Sequence, residues 1–147
     1  MTEDQAKERQ KLSWEGMFYS MQRIDLLILS ISGAGIYVCL ESIKYLTDNK
    51  IDINHLIRLS GSSFLITIIL NFLSQISGNK SNEQDYLMCQ ARIEAGEEVN
   101  EEQKEQINFY DRKSDCYNKI TTCLNYSSIL FMFLGLIFIM CYFLFIF

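Results

Sequence analysis

The chain has 147 residues, 49% of them hydrophobic, with 18 acidic and 13 basic side chains, a net charge of -5 and no proline. Five cysteines without C-x-x-C spacing and a single histidine, His55, give no support to a zinc site or a disulfide framework. No G-x-x-x-x-G-K, G-x-S-x-G or H-E-x-x-H pattern occurs, so the chain is not expected to be an enzyme, and no catalytic residue, cofactor or metal is assigned.

Residues 1–23 read as an amphipathic leader helix. Apolar side chains recur at Trp14, Met17, Phe18, Met21 and Ile24, a helical spacing that continues into the first apolar stretch. Two surfaces suit this face: the inner leaflet, with Trp14 and Tyr19 as interfacial anchors, or a cytoplasmic helical bundle. A cleaved signal is not expected, because the leader is charged and no A-x-A-like site follows.

Residues 24–46 form the first expected transmembrane helix. It carries Asp25, Ser32, Gly35, Cys39 and Ser42 within about a third of its circumference, and small residues at such spacing let helices approach closely. A short outer loop, 47–55, leads to the second, 56–77. There Ser60, Ser63, Thr67, Asn71 and Ser74 share one side, while Leu65, Ile66, Ile69, Phe72 and Leu73 cover much of the rest.

Polar groups in hydrocarbon need partners or water, so the second stripe must meet another helix or line a wet path. In the first reading the two spans pack stripe to stripe as a hairpin. In the second, self-assembled copies turn the five residues towards an axis, where hydroxyls and an amide replace part of an ion's hydration shell and Leu70 gates by dewetting. Glu41, His55, Arg58 and Lys80 then belong at the pore mouths, with Glu41 biasing passage towards cations. Glu41 also suits snorkelling, or pairing with Lys44.

Residues 78–125 read as a cytoplasmic helical segment. Gly78 and Asn79 are expected to break the second helix, and Ser81 with Gln84 resembles a capping box for a short helix ending near Ala95 and Gly96. The acidic cluster from Glu94 to Glu105 reads as a solvated face. Asn100 marks the next start, and no glycine or proline follows until Gly135, which predicts one long helix into the third span, 126–147. Its first half repeats Ile107, Tyr110, Tyr117, Ile120 and Leu124, a seam for a helix of the same chain or a neighbour. Its second half, with Phe131, Phe133, Phe138 and Phe143 all round, reads as a lipid-facing wall.

Charge sets the expected orientation. Lys7, Arg9, Lys11 and Arg23 precede the first span, and Lys80, Arg92, Lys104, Arg112, Lys113 and Lys119 lie between the second and third; only Lys44, Lys50 and Arg58 lie opposite. The amino terminus is therefore expected in the cytoplasm and the carboxyl terminus outside. The expected class is an all-α membrane protein of three transmembrane helices with a cytoplasmic helical segment. One chain with three spans cannot enclose a pore, so conduction implies a symmetric homo-oligomer in lipid, a tetramer being one size considered.

A charged helical leader, a tight hairpin of spans and a long helical cytoplasmic segment resemble the SLATT-type pore-forming effectors of bacterial anti-phage defence. The additional helix at 129–147 departs from their two-span pattern and is similar to the layout of a Hailong-type channel subunit. This resemblance implies a membrane-depolarising channel in the bacterial inner membrane, gated by a cytoplasmic nucleotide or short single-stranded DNA. Candidate contacts for such an anion are Lys7, Arg9, Lys11, Arg23, Arg112, Lys113 and Lys119, several of which positive-inside anchoring alone explains. The alternatives are a non-conducting membrane anchor for a soluble enzyme, using the 107–124 seam, and a holin-like lysis pore.

Overall fold

The computed structural model of the chain describes the backbone of residues 3–52, 54–95 and 100–146, and side chains for residue 16 and residues 19–52, 54–95 and 100–145. Three long helices carry nearly all of it: α1 Glu3–Asp48, α2 His55–Ala95 and α3 Glu101–Ile146. At 1.5 Å per residue they measure about 69, 62 and 69 Å, roughly twice the thickness of a bilayer core. Each contains a stretch long and apolar enough to cross a membrane. The protein is thus all-helical, with three candidate spans.

Local chemistry fixes the helix ends. α1 closes with Lys50 in the left-handed region at φ 55. The Ile51 N–H donates to the Leu46 carbonyl (2.9 Å) and the Lys50 N–H to that of Thr47 (3.1 Å), the paired bonds of a Schellman cap. Asn54 then caps α2, its Oδ1 accepting the Leu56 N–H at 2.9 Å. Asn100 caps α3: its carbonyl accepts from Lys104, and its own N–H donates to Gln103 Oε1 at 3.0 Å, as the expected start implied.

The expected break at Gly78 and Asn79 does not occur, and α2 runs through both. Gly78 sits against Thr121 of α3, so its missing side chain serves close helix approach. Ser81 is not a cap; it is buried, donating to the Ser114 carbonyl (3.1 Å) and meeting the Ser114 hydroxyl at 3.0 Å. With that bond on offer, the helix gains more by continuing along α3 than by stopping.

α2 is the central helix. It packs antiparallel along most of α3, and along α1 over a shorter length. The first buried residue of α1 among those described is Ile28; Tyr19, Met21 and Ile24 are exposed. Residue 16 and residues 19–24 of α1 are exposed, and half-buried Asp25 is the first described α1 side chain held against α2. Trp14, Met17 and Phe18 lie outside the described side chains.

Candidate functional site

The stripe on α2 is the best-buried surface of the protein. Ser60, Thr67, Asn71, Ser74 and Ser81 are at most 1% exposed, and Ser63 and Ser77 stay below 9%. Steps of three and four residues keep all seven on one face, and that face meets α3 with α1 alongside. None of the five candidate pore-lining residues, Ser60, Ser63, Thr67, Asn71 and Ser74, lies on the surface of the single chain.

Their hydrogen-bonding capacity is used inside it. Ser60 Oγ donates to the Gly135 carbonyl of α3 at 2.8 Å and accepts from the Cys39 thiol of α1 at 3.6 Å. Ser63 and Thr67 donate back to the Leu59 and Ser63 carbonyls one turn earlier. Ser74 Oγ donates to Asn125 Oδ1, and Ser77 Oγ to the Tyr117 carbonyl. Asn71 Nδ2 reaches Asp25 Oδ1 at 3.1 Å while Gln75 Nε2 reaches Oδ2 at 2.6 Å, so α2 meets both oxygens of the α1 carboxylate. These groups edge a groove of about 360 Å3, completed by Gln22, Leu26 and Leu29.

Phe64 sits in the middle of this polar seam and is wholly buried. Two glycines make its seat. A Cβ on Gly35 of α1 would overlap its ring, and one on Gly135 of α3 would come within 2.8 Å of it. Three helices meet at one aromatic ring because two of them carry no side chain there.

α3 is therefore not a uniform lipid-facing wall. Phe133 and Phe145 are exposed, but Ser114, Ser128, Met132, Gly135, Ile139 and Tyr142 are buried. The spacing of Ser114, Thr121, Asn125, Ser128 and Gly135 is a second small and polar stripe, and it could have been read from sequence had the phenylalanines not drawn attention. The seam at 107–124 divides: Ile107, Tyr110, Tyr117 and Leu124 are half-buried, while Ile120 is 44% exposed.

The opposite face of α1 contrasts with all of this. Ser30, Gly33, Ala34, Tyr37, Glu41 and Lys44 project within about 60° of one direction at 100° per residue, and every one is exposed. Nothing stands within 4 Å of the Cβ position of Gly33. Among the described residues Glu41 makes no ion pair; the pair found there is Lys80–Glu83, at 2.7 Å on the surface of α2.

The remaining candidates are spread out. His55 and Arg58 are exposed at the α1–α2 turn, as is Lys80 further along α2. Arg23 lies over the Tyr19 ring at 5.7 Å, and Lys113 over Phe109 at 4.4 Å. Arg112 Nε donates to the Asn108 carbonyl, and Lys119 edges a shallow groove with Asp115 and Thr122. The side chains of Lys7, Arg9 and Lys11 lie outside the described residues. Comparison of the chain with protein-family models, with curated proteins and with solved structures finds no match.

Proposed function

We propose that the chain is one subunit of an oligomeric membrane channel whose path is bounded by the outer face of α1. The observation that carries this reading is Glu41. Asp25 and Glu41 are sixteen residues apart, about 24 Å along a helix, which is less than the roughly 30 Å of a bilayer core. Asp25 is met by Asn71 and Gln75. Among the described residues Glu41 has no such partner, and a carboxylate turned to lipid at depth costs about 3 kcal/mol on insertion scales. Water in a shared path, or a neighbouring copy, removes that cost.

An axis lined instead by the α2 stripe requires α1 or α3 to leave α2 and give up the bonds of Ser60, Asn71 and Ser74. The α1 face needs no such rearrangement. Its Gly33 and Ala34 allow close approach around an axis, and a ring of Glu41 carboxylates favours cations. In this reading the amino terminus and the α2–α3 turn are cytoplasmic by the distribution of Lys and Arg. Arg23 on α1 and Arg112, Lys113 and Lys119 on α3 are exposed and available to an anionic gating ligand of the kind the SLATT and Hailong resemblance implies.

Currents across planar bilayers under a salt gradient test the proposal. The wild-type protein is expected to conduct with a cation-selective reversal potential, and Glu41→Gln to lose most of that selectivity. An unchanged reversal potential in Glu41→Gln would remove the α1 path. Silence from protein shown to be inserted would favour the second reading, a non-conducting anchor, for which the internal closure of the α2 stripe speaks.

A further inference from the structure

We infer that each chain binds a structural water molecule in its interior, held between Ser32 of α1, Thr67 of α2 and Ser128 of α3. The inference goes beyond the channel reading and does not depend on it, because all three hydroxyls belong to one chain. All three residues are wholly buried, at 0% exposure. Ser32 Oγ is one of two buried side-chain polar atoms without a hydrogen-bond partner among the described residues, the other being Gln84 Oε1 on α2.

A seven-residue repeat on all three helices places Ser32. On α1, Asp25, Ser32 and Cys39 stand seven apart, and the outer two meet α2, Asp25 at Asn71 and Gln75 and Cys39 at Ser60. On the other two helices, Ser60 donates to the Gly135 carbonyl and Ser81 to that of Ser114, so α2 and α3 keep one register over three heptads. One heptad on from Cys39, Ser60 and Gly135, towards the Asp25 side, stand Ser32, Thr67 and Ser128. Three hydroxyls therefore share a layer.

The two layers differ in their bonds. Around Ser60 they run from helix to helix, thiol to hydroxyl to carbonyl. Around Ser32 they do not: Thr67 Oγ1 donates to the Ser63 carbonyl and Ser128 Oγ to the Asn125 carbonyl, both at 3.0 Å and both within one helix. Thr67 and Ser128 have thus used their protons and keep acceptor lone pairs, while Ser32 keeps a proton to give. One water molecule balances the set. It accepts from Ser32 Oγ and donates one hydrogen to Thr67 Oγ1 and the other to Ser128 Oγ, the three bonds usual for a buried water. A cation is less suited, since the layer holds no carboxylate and Asp25 lies one heptad away along α1, about 10 Å. The Phe64 ring, seated against Gly35 and Gly135, closes the layer towards the α1–α2 turn, and the groove edged by Asp25 and Asn71 lies on the other side.

Solid-state NMR of the full-length protein in lipid bilayers tests the site, with water itself as the probe. Magnetisation transfer from water is expected to reach Ser32, Thr67 and Ser128 and to be much weaker at Ser60. That serine is equally buried but bonded on both sides, so it controls for simple exchange of a hydroxyl proton. Ser32→Ala removes the donor without adding bulk and is expected to lower the transfer to Thr67 by about half or more. Wild-type protein with no transfer at the layer, or with equal transfer at Ser60, overturns the inference, as does a Ser32→Ala variant in which Thr67 is unchanged. None of these outcomes bears on conductance, so loss of the α1 path in the Glu41→Gln experiment would leave the water site standing.

Discussion

The seam of α2 and the outer face of α1 are built from the same materials, serine, glycine and an ionisable or amide side chain at helical spacing, yet they end in opposite states. On α2 each of the five stripe residues has found a partner inside the chain, and Asp25 is met by two amides. On α1, Ser30, Tyr37 and Glu41 face outwards, and Glu41 has no ion-pair partner among the described residues. Polarity in a span therefore does not itself mark a water path. What distinguishes the two faces is whether neighbouring helices offer complementary groups at the right height.

The comparison can be broken most decisively at Phe64. If the seam is a closed packing surface, Phe64→Ala should lower the unfolding free energy by about 3 kcal/mol through the cavity it leaves. Gly135→Ala should cost about 1–3 kcal/mol, because its new methyl meets the ring at 2.8 Å. The double variant should cost less than the sum of the two, since removing the ring makes room for the methyl. Thermal unfolding of the four proteins in one detergent measures all three quantities, and strict additivity would show that the two residues do not touch.

A smaller effect is expected at the Asp25 carboxylate. Asn71→Leu removes one of its two donors and should destabilise by about 1 kcal/mol, in line with interhelical bonds in membranes. The same substitution should leave the reversal potential of any channel current unchanged, because Asn71 is enclosed by the single chain. A shift in selectivity without loss of stability would move the axis back to α2.

Much of the architecture was legible in the sequence. The three apolar stretches, the Asn100 cap and the unbroken helix through Gly135 follow from composition and capping chemistry alone. The continuation of α2 through Gly78 and Asn79 did not, because its cause is tertiary: Ser81 and Gly78 fit residues of α3 that lie more than thirty positions away in sequence. The α2 stripe was visible as a stripe, but its partners were not. Asn125, Ser128 and Gly135 are separated from it by a long connection and interleaved with phenylalanine. Phe64 escaped notice because one aromatic residue in an apolar run carries no signal until the two glycines are seen to face it.

The most direct test compares thiol accessibility at single cysteines placed in a background without native ones, in proteoliposomes with a membrane-impermeant reagent. Tyr37→Cys on α1 should react, and permeant cations should slow the reaction, while Thr67→Cys on α2 should stay protected. Rapid labelling of Thr67→Cys with none at Tyr37→Cys would contradict the account and put the α2 stripe on the water path.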